Sequence, residues 1–318
     1  MAGSFLISLD FELLWGMRDK CGVADYGRNI LGVREAVPAM LNLFRRYQVR
    51  ATWAAVGMLL FESKKELQKF LPELRPGYDD PNLNPYFALY RIGDDESSDP
   101  YHYGLSLARQ ILECEGMELA SHTFSHYYCL ERGQTAAEFR ADLAASVAAG
   151  ERLGARPVSL VFPRNQYNPE YLEICAEAGF RAFRGNQKSW MYRGATEAEQ
   201  QSTLRRAAQL ADIYIDVSGD HTFTPDREFG LWNLPASRFL RPFEYGRRCF
   251  DGWKLARIRN AMSAAAICGK SFHLWWHPHN FGVDLQENIA FLAEILKHYD
   301  GLRERYGMES LTMQEAGR

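Results

Sequence analysis

Short apolar runs alternate along this chain with longer segments whose apolar residues recur at helical spacing, the patterns of buried strands and amphipathic helices. Ser4 to Asp10 is an apolar run ending on an acid and predicts a buried strand. Glu12 to Arg28 is mixed, contains Gly16, Gly22 and Gly27, and predicts a loop. Val37, Leu41, Phe44 and Tyr47 then form a stripe along a helix over 34–47, with Pro38 in its first turn, where proline is tolerated. Strands are predicted over 50–56, 117–121, 158–162, 180–183, 213–217 and 271–277. Helices are predicted over 105–114, 135–153, 169–178, 195–210, 251–268 and 285–306. Asn168 and Gly179 bracket the helix over 169–178 as cap and stop. The stretch 218–248 shows no clear period beyond the apolar Leu231-Trp232-Asn233-Leu234.

Strand and helix thus alternate along the chain, which predicts an α/β fold with a parallel sheet and helices outside it. One stretch breaks the alternation. From Glu62 to Tyr103, prolines at 72, 76, 81, 85 and 100 and acids at 94, 95, 96 and 99 interrupt regular structure. It is too long for an ordinary connection and reads as an insertion at 62–103 within a single domain over 1–318, forming a lid over a site.

Composition narrows the function classes. A 318-residue chain with 47% hydrophobic and 24% charged residues is ordinary for a globular protein. Its formal net charge of -3 argues against nucleic acid as the main partner, because phosphate-backbone binding needs a concentrated basic face. No run approaches the ~18 apolar residues of a membrane span. The N-terminus lacks a basic region and its apolar run meets Asp10 at once, unlike a secretory signal. The six cysteines are scattered with no CxxC pair, as expected of free thiols in a cytoplasmic protein. Homo-oligomer formation is left open.

Polar residues of chemical interest fall at predicted strand ends: Asp10, His122, Arg164 and His277. In parallel α/β folds the carboxyl ends of the strands are where sites are built. His122 and His126 are four residues apart, and neutral imidazoles are the commonest metal ligands. With a carboxylate from Asp10-Phe11-Glu12 they would make a two-histidine, one-acid site that leaves room for water and substrate. Because the pair follows a strand, a turn supported by Ser121, Thr123 and Ser125 must bring the rings together. In Pro163-Arg164-Asn165-Gln166, the Arg164 fork suits an acid that must stay ionised. His277 would supply the acid that completes a hydrolysis. His273, on the same side of its strand, reads as a satisfied interior histidine. Trp15, Trp275, Asn165 and Gln166 are the residues expected to contact substrate, since aromatic rings suit stacking on sugars.

In motif order, nearly the whole chain resembles the polysaccharide deacetylases of carbohydrate esterase family 4. Ser8-Leu9-Asp10-Phe11-Glu12 is similar to that family's first, two-acid motif, His122-Thr123-Phe124-Ser125-His126 matches its H-[ST]-x-x-H motif, and Leu274-Trp275-Trp276-His277-Pro278 its last. Pro163-Arg164-Asn165-Gln166 takes the place of its third motif, with the proline before the arginine. Asp216, Asp220 and Trp232 are loose candidates for a further Asp and Trp that back the histidine. The resemblance implies a distorted (β/α)7-type barrel and metal-dependent removal of an N-acetyl group from an amino sugar. It implies a divalent metal, zinc first, with cobalt, nickel, manganese or iron as alternatives, on Glu12, His122 and His126. Asp10 is then the base, held by Arg164, and His277 the acid. Glu12 stands where the family more often has Asp, which leaves open which of the two acids is the ligand. The partner implied is an N-acetylated sugar in a polysaccharide or in a nucleotide- or lipid-linked precursor. The alternatives are hydrolysis of a small non-sugar amide on the same fold, a non-catalytic sugar-binding relative, and a non-haem iron oxygenase, whose usual H-x-D order differs from the acid-first order here.

Overall fold

The computed structural model describes residues 2–196 and 202–317. Its strands are β1 (Ser4–Phe11), β2 (Ala51–Ala55), β3 (Met117–Ser121), β4 (Ser159–Leu160), β5 (Ala182–Phe183), β6 (Asp226–Glu228), β7 (Leu231–Asn233), β8 (Arg238–Phe239), β9 (Ser271–Trp276) and β10 (Glu309–Leu311). They form one curled sheet in the order β6-β7-β5-β4-β3-β2-β1-β9-β8, with β10 beside the start of β1. The ladders are parallel except for β6 with β7. Among the described residues no ladder joins β8 to β6 or β7. The result is a distorted (β/α) barrel, open at that seam.

The helices are α1 (Val23–Tyr47), α2 (Lys64–Lys69), α3 (Leu105–Glu113), α4 (Ala136–Glu151), α5 (Pro169–Glu177), α6 (Thr203–Asp212), α7 (Asp251–Cys268), α8 (Leu285–Tyr306) and α9 (Met313–Ala316). No described helix is long and apolar enough to cross a membrane.

The two-residue side-chain period of a strand explains how this sheet carries a polar interior. In β1, Phe5, Ile7, Leu9 and Phe11 pack outward into the main core with α1, α7 and α8, while Leu6 faces inward. Ser8 and Asp10 lie on that inner side. In β9, Phe272, Leu274 and Trp276 go outward, which turns His273, Trp275 and, just past the strand, His277 inward. The lower interior is closed by α9: Met313 N–H donates to Thr52 Oγ1 at 2.8 Å and Gln314 N–H to Glu118 Oε2 at 3.0 Å. Chemistry is therefore confined to the mouth at the carboxyl ends of the strands.

Three expectations need correction. The loop predicted over 12–28 is a short turn of helix at Leu13–Gly16 followed by α1, which begins at Val23. Gly27 is helical, and a β-carbon there would meet the Tyr101 ring at 3.2 Å, so the glycine marks a close approach. Residues 213–217 are not a strand; Tyr214 and Ile215 N–H both donate to Ala211 O, and Ile215 and Val217 are exposed, so they have no sheet face to bury. The helix expected over 195–210 is described from Thr203 to Asp212, and its part over 197–201 lies outside the described residues. In the unassigned stretch, β6, β7 and β8 are two or three residues each, too short to show a period.

Candidate active site

The site forms where β1, β3, β5 and β9 end. Glu12 follows β1 and folds back beside Gly16, whose missing side chain makes the room: a β-carbon there would lie 2.0 Å from the Glu12 carboxyl carbon. His122 follows β3. Its Nδ1 lies 2.8 Å from Val161 O; a carbonyl only accepts, so that nitrogen carries the proton and Nε2 is left with its lone pair. Nε2 faces Glu12 Oε2 at 3.3 Å, and His126 Nε2 faces the same oxygen at 3.0 Å.

Bringing the two rings together requires a tight turn. Thr123 and His126 have φ of 62° and 58°, a left-handed geometry that non-glycine residues adopt only when held there. The buried Asp142 of α4 does the holding. It accepts from Phe124 N–H at 2.7 Å, from Ser125 N–H at 3.1 Å, and from the Ser125 hydroxyl. Ser121 Oγ accepts from Thr123 N–H at 3.0 Å, and Thr123 Oγ1 from Tyr127 N–H at 2.8 Å, as the hydroxyl residues of the motif suggested. Residues 62–103 brace this turn through Tyr78, whose hydroxyl accepts from Tyr128 N–H at 2.7 Å.

Asp10 has a different partner. Arg184, just past β5, grips it with Nη1 2.6 Å from Oδ1 and Nη2 2.8 Å from Oδ2. The guanidinium lies 4.1 Å above the Trp275 ring and also reaches Ser8 Oγ at 3.0 Å and Asn165 Oδ1 at 3.2 Å. His273 fills the space below as a satisfied interior histidine, with Nδ1 3.0 Å from Leu234 O and Nε2 2.8 Å from Ser8 Oγ.

Burial alone would push both acids up. For Asp10 the Arg184 guanidinium, with His122 and His277, outweighs burial and holds the carboxyl below its usual range. For Glu12, the attraction of His277 and His126, with the His122 and His126 rings set against its carboxylate, outweighs burial more strongly and holds it well below its usual range. Burial lowers His126 to about 4, against the pull of Glu12. An ionised carboxylate and a neutral imidazole are the forms a metal ligand needs. Glu12, His122 and His126 are all buried, and each offers one donor atom within 4.8 Å of the others. Two nitrogens and one oxygen fit a divalent cation with open positions.

His277 closes the site, its Nε2 3.6 Å from Glu12 Oε1 and 3.8 Å from Asp10 Oδ2. Its ring stacks on the buried His279 at 4.9 Å with 18° between planes. With Trp275 and Asn165 it lines a cleft of about 560 Å³.

Other expected residues are placed differently. Arg164 pairs with Asp19 and lies 4.1 Å above the Tyr128 ring; the fork on Asp10 belongs to Arg184. Trp15 is fully buried in the main core, its indole N–H donating to His102 O at 2.8 Å, so it presents no ring to a substrate. Gln166 is buried too, accepting from Leu130 N–H at 3.2 Å and donating to Glu131 Oε1 at 2.7 Å; it ties loops together. Asp216 and Asp220 pair with Arg257 and Trp232 lies under Arg227, so none of the three backs His277. Arg184 was missed although it follows a predicted strand, where the strand-end rule applies. Asp142 lies mid-helix and carries no local signal.

A family model described as polysaccharide deacetylase matches residues 25–183. No curated protein matches the chain. Among solved structures, a candidate polysaccharide deacetylase from Mycobacterium smegmatis is 16% identical with a TM-score of 0.61, covering 100% of this chain and 90% of that one. A probable polysaccharide deacetylase from Pseudomonas aeruginosa PAO1 is 13% identical with a TM-score of 0.55, covering 99% and 89%. The allantoinase Puue is 14% identical with a TM-score of 0.55, covering 99% and 88%. At these identities the likeness concerns the fold.

Proposed function

The chain belongs to the polysaccharide deacetylase family, and we propose that it is a metal-dependent hydrolase that removes the N-acetyl group of an amino sugar at the mouth of its barrel. Two acids with different partners carry this reading. Glu12 sits with two histidines, while Asp10 is forked by Arg184. That contrast supports Glu12 as the ligand and Asp10 as the base.

Glu12, His122 and His126 would hold the cation, zinc by the donor set, which when bound supplies Lewis acidity and a water of lowered pKa. Asp10, kept ionised by Arg184, takes the proton of the attacking water. His277 presents Nε2 to the same point and gives a proton to the departing amine nitrogen. The C–N bond of the acetamide breaks, and acetate and the free amine leave. Asn165 and Trp275 orient Arg184 from two sides and so keep the base aimed. Presence of both Asp10 and His277 disfavours a non-catalytic sugar-binding role. The cytoplasmic setting proposed here rests on six cysteines that are all unpaired.

Metal analysis of the purified protein beside His126→Ala, together with acetate release from N-acetylated sugars, tests the reading. The wild type should carry about one divalent ion and the variant far less. Asp10→Asn should keep the metal and lose turnover. Equal metal in wild type and His126→Ala, with no acetate released after adding Zn²⁺, Co²⁺ or Ni²⁺, overturns it.

A further inference from the structure

We propose that the acetamido sugar is presented on a phosphate or diphosphate, which binds in the basic cleft beside His277. This inference rests on the deacetylase reading and narrows its substrate class.

The cleft that His277, Trp275 and Asn165 line has a one-sided charge. Every charged residue among its described lining is basic or the histidine itself, and no Asp or Glu is among them. The chain as a whole has 37 Lys and Arg against 40 Asp and Glu, so this concentration is local. Three of the cations are fixed from behind by acids: Arg164 by Asp19, Arg238 by Asp212 and Lys254 by Asp251. Lys20, Arg193, Arg206 and Arg241 also line it and have no carboxylate partner among the described residues. An adjoining hollow shares Arg206, Gln209 and Arg241 and adds Arg247, so the positive lining continues outward.

Sugar hydroxyls that donate hydrogen bonds need acceptors, and ionised carboxylates are the strongest ones available. This cleft offers cationic donors instead. The hydroxyl oxygens of a neutral glycan could accept from these donors, but they would cover the cations without an opposing charge, which is costly. Phosphate oxygens accept several charge-assisted bonds at once and match the arginine fork. Tyr192, Phe239 and Trp275 supply flat apolar surface in the same cleft for the sugar ring. The acetamide then lies at the His277 end, with the phosphate toward Arg241. A nucleoside or a polyprenyl chain beyond the phosphate would both satisfy this chemistry.

The test compares acetate release from three N-acetylglucosamine compounds: neutral chitotetraose, the uridine diphosphate-linked sugar, and the polyprenyl diphosphate-linked sugar in detergent micelles. A separate arm titrates uridine diphosphate glucose, which has the diphosphate without the acetamide, into the metal-loaded protein by calorimetry. One of the diphosphate forms should exceed chitotetraose in kcat/KM by at least about tenfold, and the margin should shrink as salt rises. In the double variant Arg193→Gln/Arg241→Gln the ratio of the two kcat/KM values should fall toward one, and calorimetric binding should weaken by about tenfold or more. Preference for the uridine form names a nucleotide carrier, and preference for the polyprenyl form a lipid one. Use of chitotetraose equal to or above that of both diphosphate forms overturns the inference and leaves the deacetylase reading intact. Should no compound release acetate, that reading fails, and calorimetry still decides this one: absence of binding, or binding unchanged in the double variant, sinks it.

Discussion

Arg184 grips Asp10 with both terminal nitrogens, at 2.6 and 2.8 Å, in a pocket where both side chains are almost fully buried. A buried carboxylate without such a partner would take up a proton or turn away. The fork also fixes direction, because two parallel hydrogen bonds leave the carboxylate one orientation. Lysine keeps the charge but not the fork. Arg184→Lys should therefore lower kcat by roughly 100-fold, on the scale of losing one preorganised polar contact at a reacting group. KM and bound metal should change little, because neither depends on how Asp10 is aimed. A misaimed base is costly, so a variant that retains its kcat to within about twofold would show that the fork serves packing only.

Asp142 supports the metal-binding turn without touching a ligand. It takes hydrogen bonds from three donors, Phe124 N–H, Ser125 N–H and the Ser125 hydroxyl. Asp142→Ala leaves all three buried without an acceptor, at about 1–3 kcal/mol each when fully orphaned. Thermal or denaturant unfolding should register a loss on the order of 3–5 kcal/mol, since the turn relaxes in part. Metal affinity should fall with it, because Thr123 and His126 no longer have support for their left-handed backbone. Unchanged stability and metal content would show that the turn holds itself.

Much of this fold and site was legible because the outward face of each long strand is so regularly apolar. In β1 the alternation Phe5, Ile7, Leu9, Phe11 leaves Ser8 and Asp10 on the other side, and the same reasoning turns His277 inward from β9. The histidine pair was legible as a motif with its hydroxyl residues. What was hidden was pairing at a distance. Arg164 and Arg184 both follow short strands, and nothing local says which of them crosses the barrel to Asp10; that is decided by the β4–β5 register and by the space above Trp275. Trp15 looked available for stacking because the stretch around it reads as a loop, yet its indole is buried and hydrogen-bonded to His102 O. β6, β7 and β8 were illegible because two or three residues cannot show a period.

Acid should destabilise the protein through His273. Burial, reinforced by the nearby Arg184 charge, lowers this imidazole to about 3, against hydrogen bonding to Leu234 O and attraction from Asp10. In the unfolded chain it titrates near 6.5. Between about 6.5 and 3 the unfolded state binds more protons than the folded one, so stability rises with pH across that window and is lost as pH falls through it. At about 1.4 kcal/mol per unit, the contribution is on the order of 3–5 kcal/mol. Chemical denaturation at a series of pH values should show this slope in the wild type and a shallower one in His273→Gln, which keeps a donor and an acceptor but no titrating group. Identical slopes would assign the acid sensitivity elsewhere.

Gly16 should control metal affinity from outside the ligand set. An alanine β-carbon at this position would fall 2.0 to 2.4 Å from the Glu12 carboxyl carbon and both of its oxygens, far inside van der Waals contact. The clashing atoms are the far end of a flexible side chain, so the Glu12 carboxylate swings away while the backbone keeps its course. The fold is then largely retained, but Glu12 loses its place beside His122 and His126. Displacing a ligand by its neighbour should lower metal affinity by about 10- to 100-fold, as changes just outside a metal's ligands do. Competition with a chelator of known strength measures that loss, and unfolding midpoints measured on metal-free wild type and Gly16→Ala separate it from misfolding. Equal metal affinity in the two proteins would mean that Glu12 reaches the histidines by another route, or that the cation does not use it.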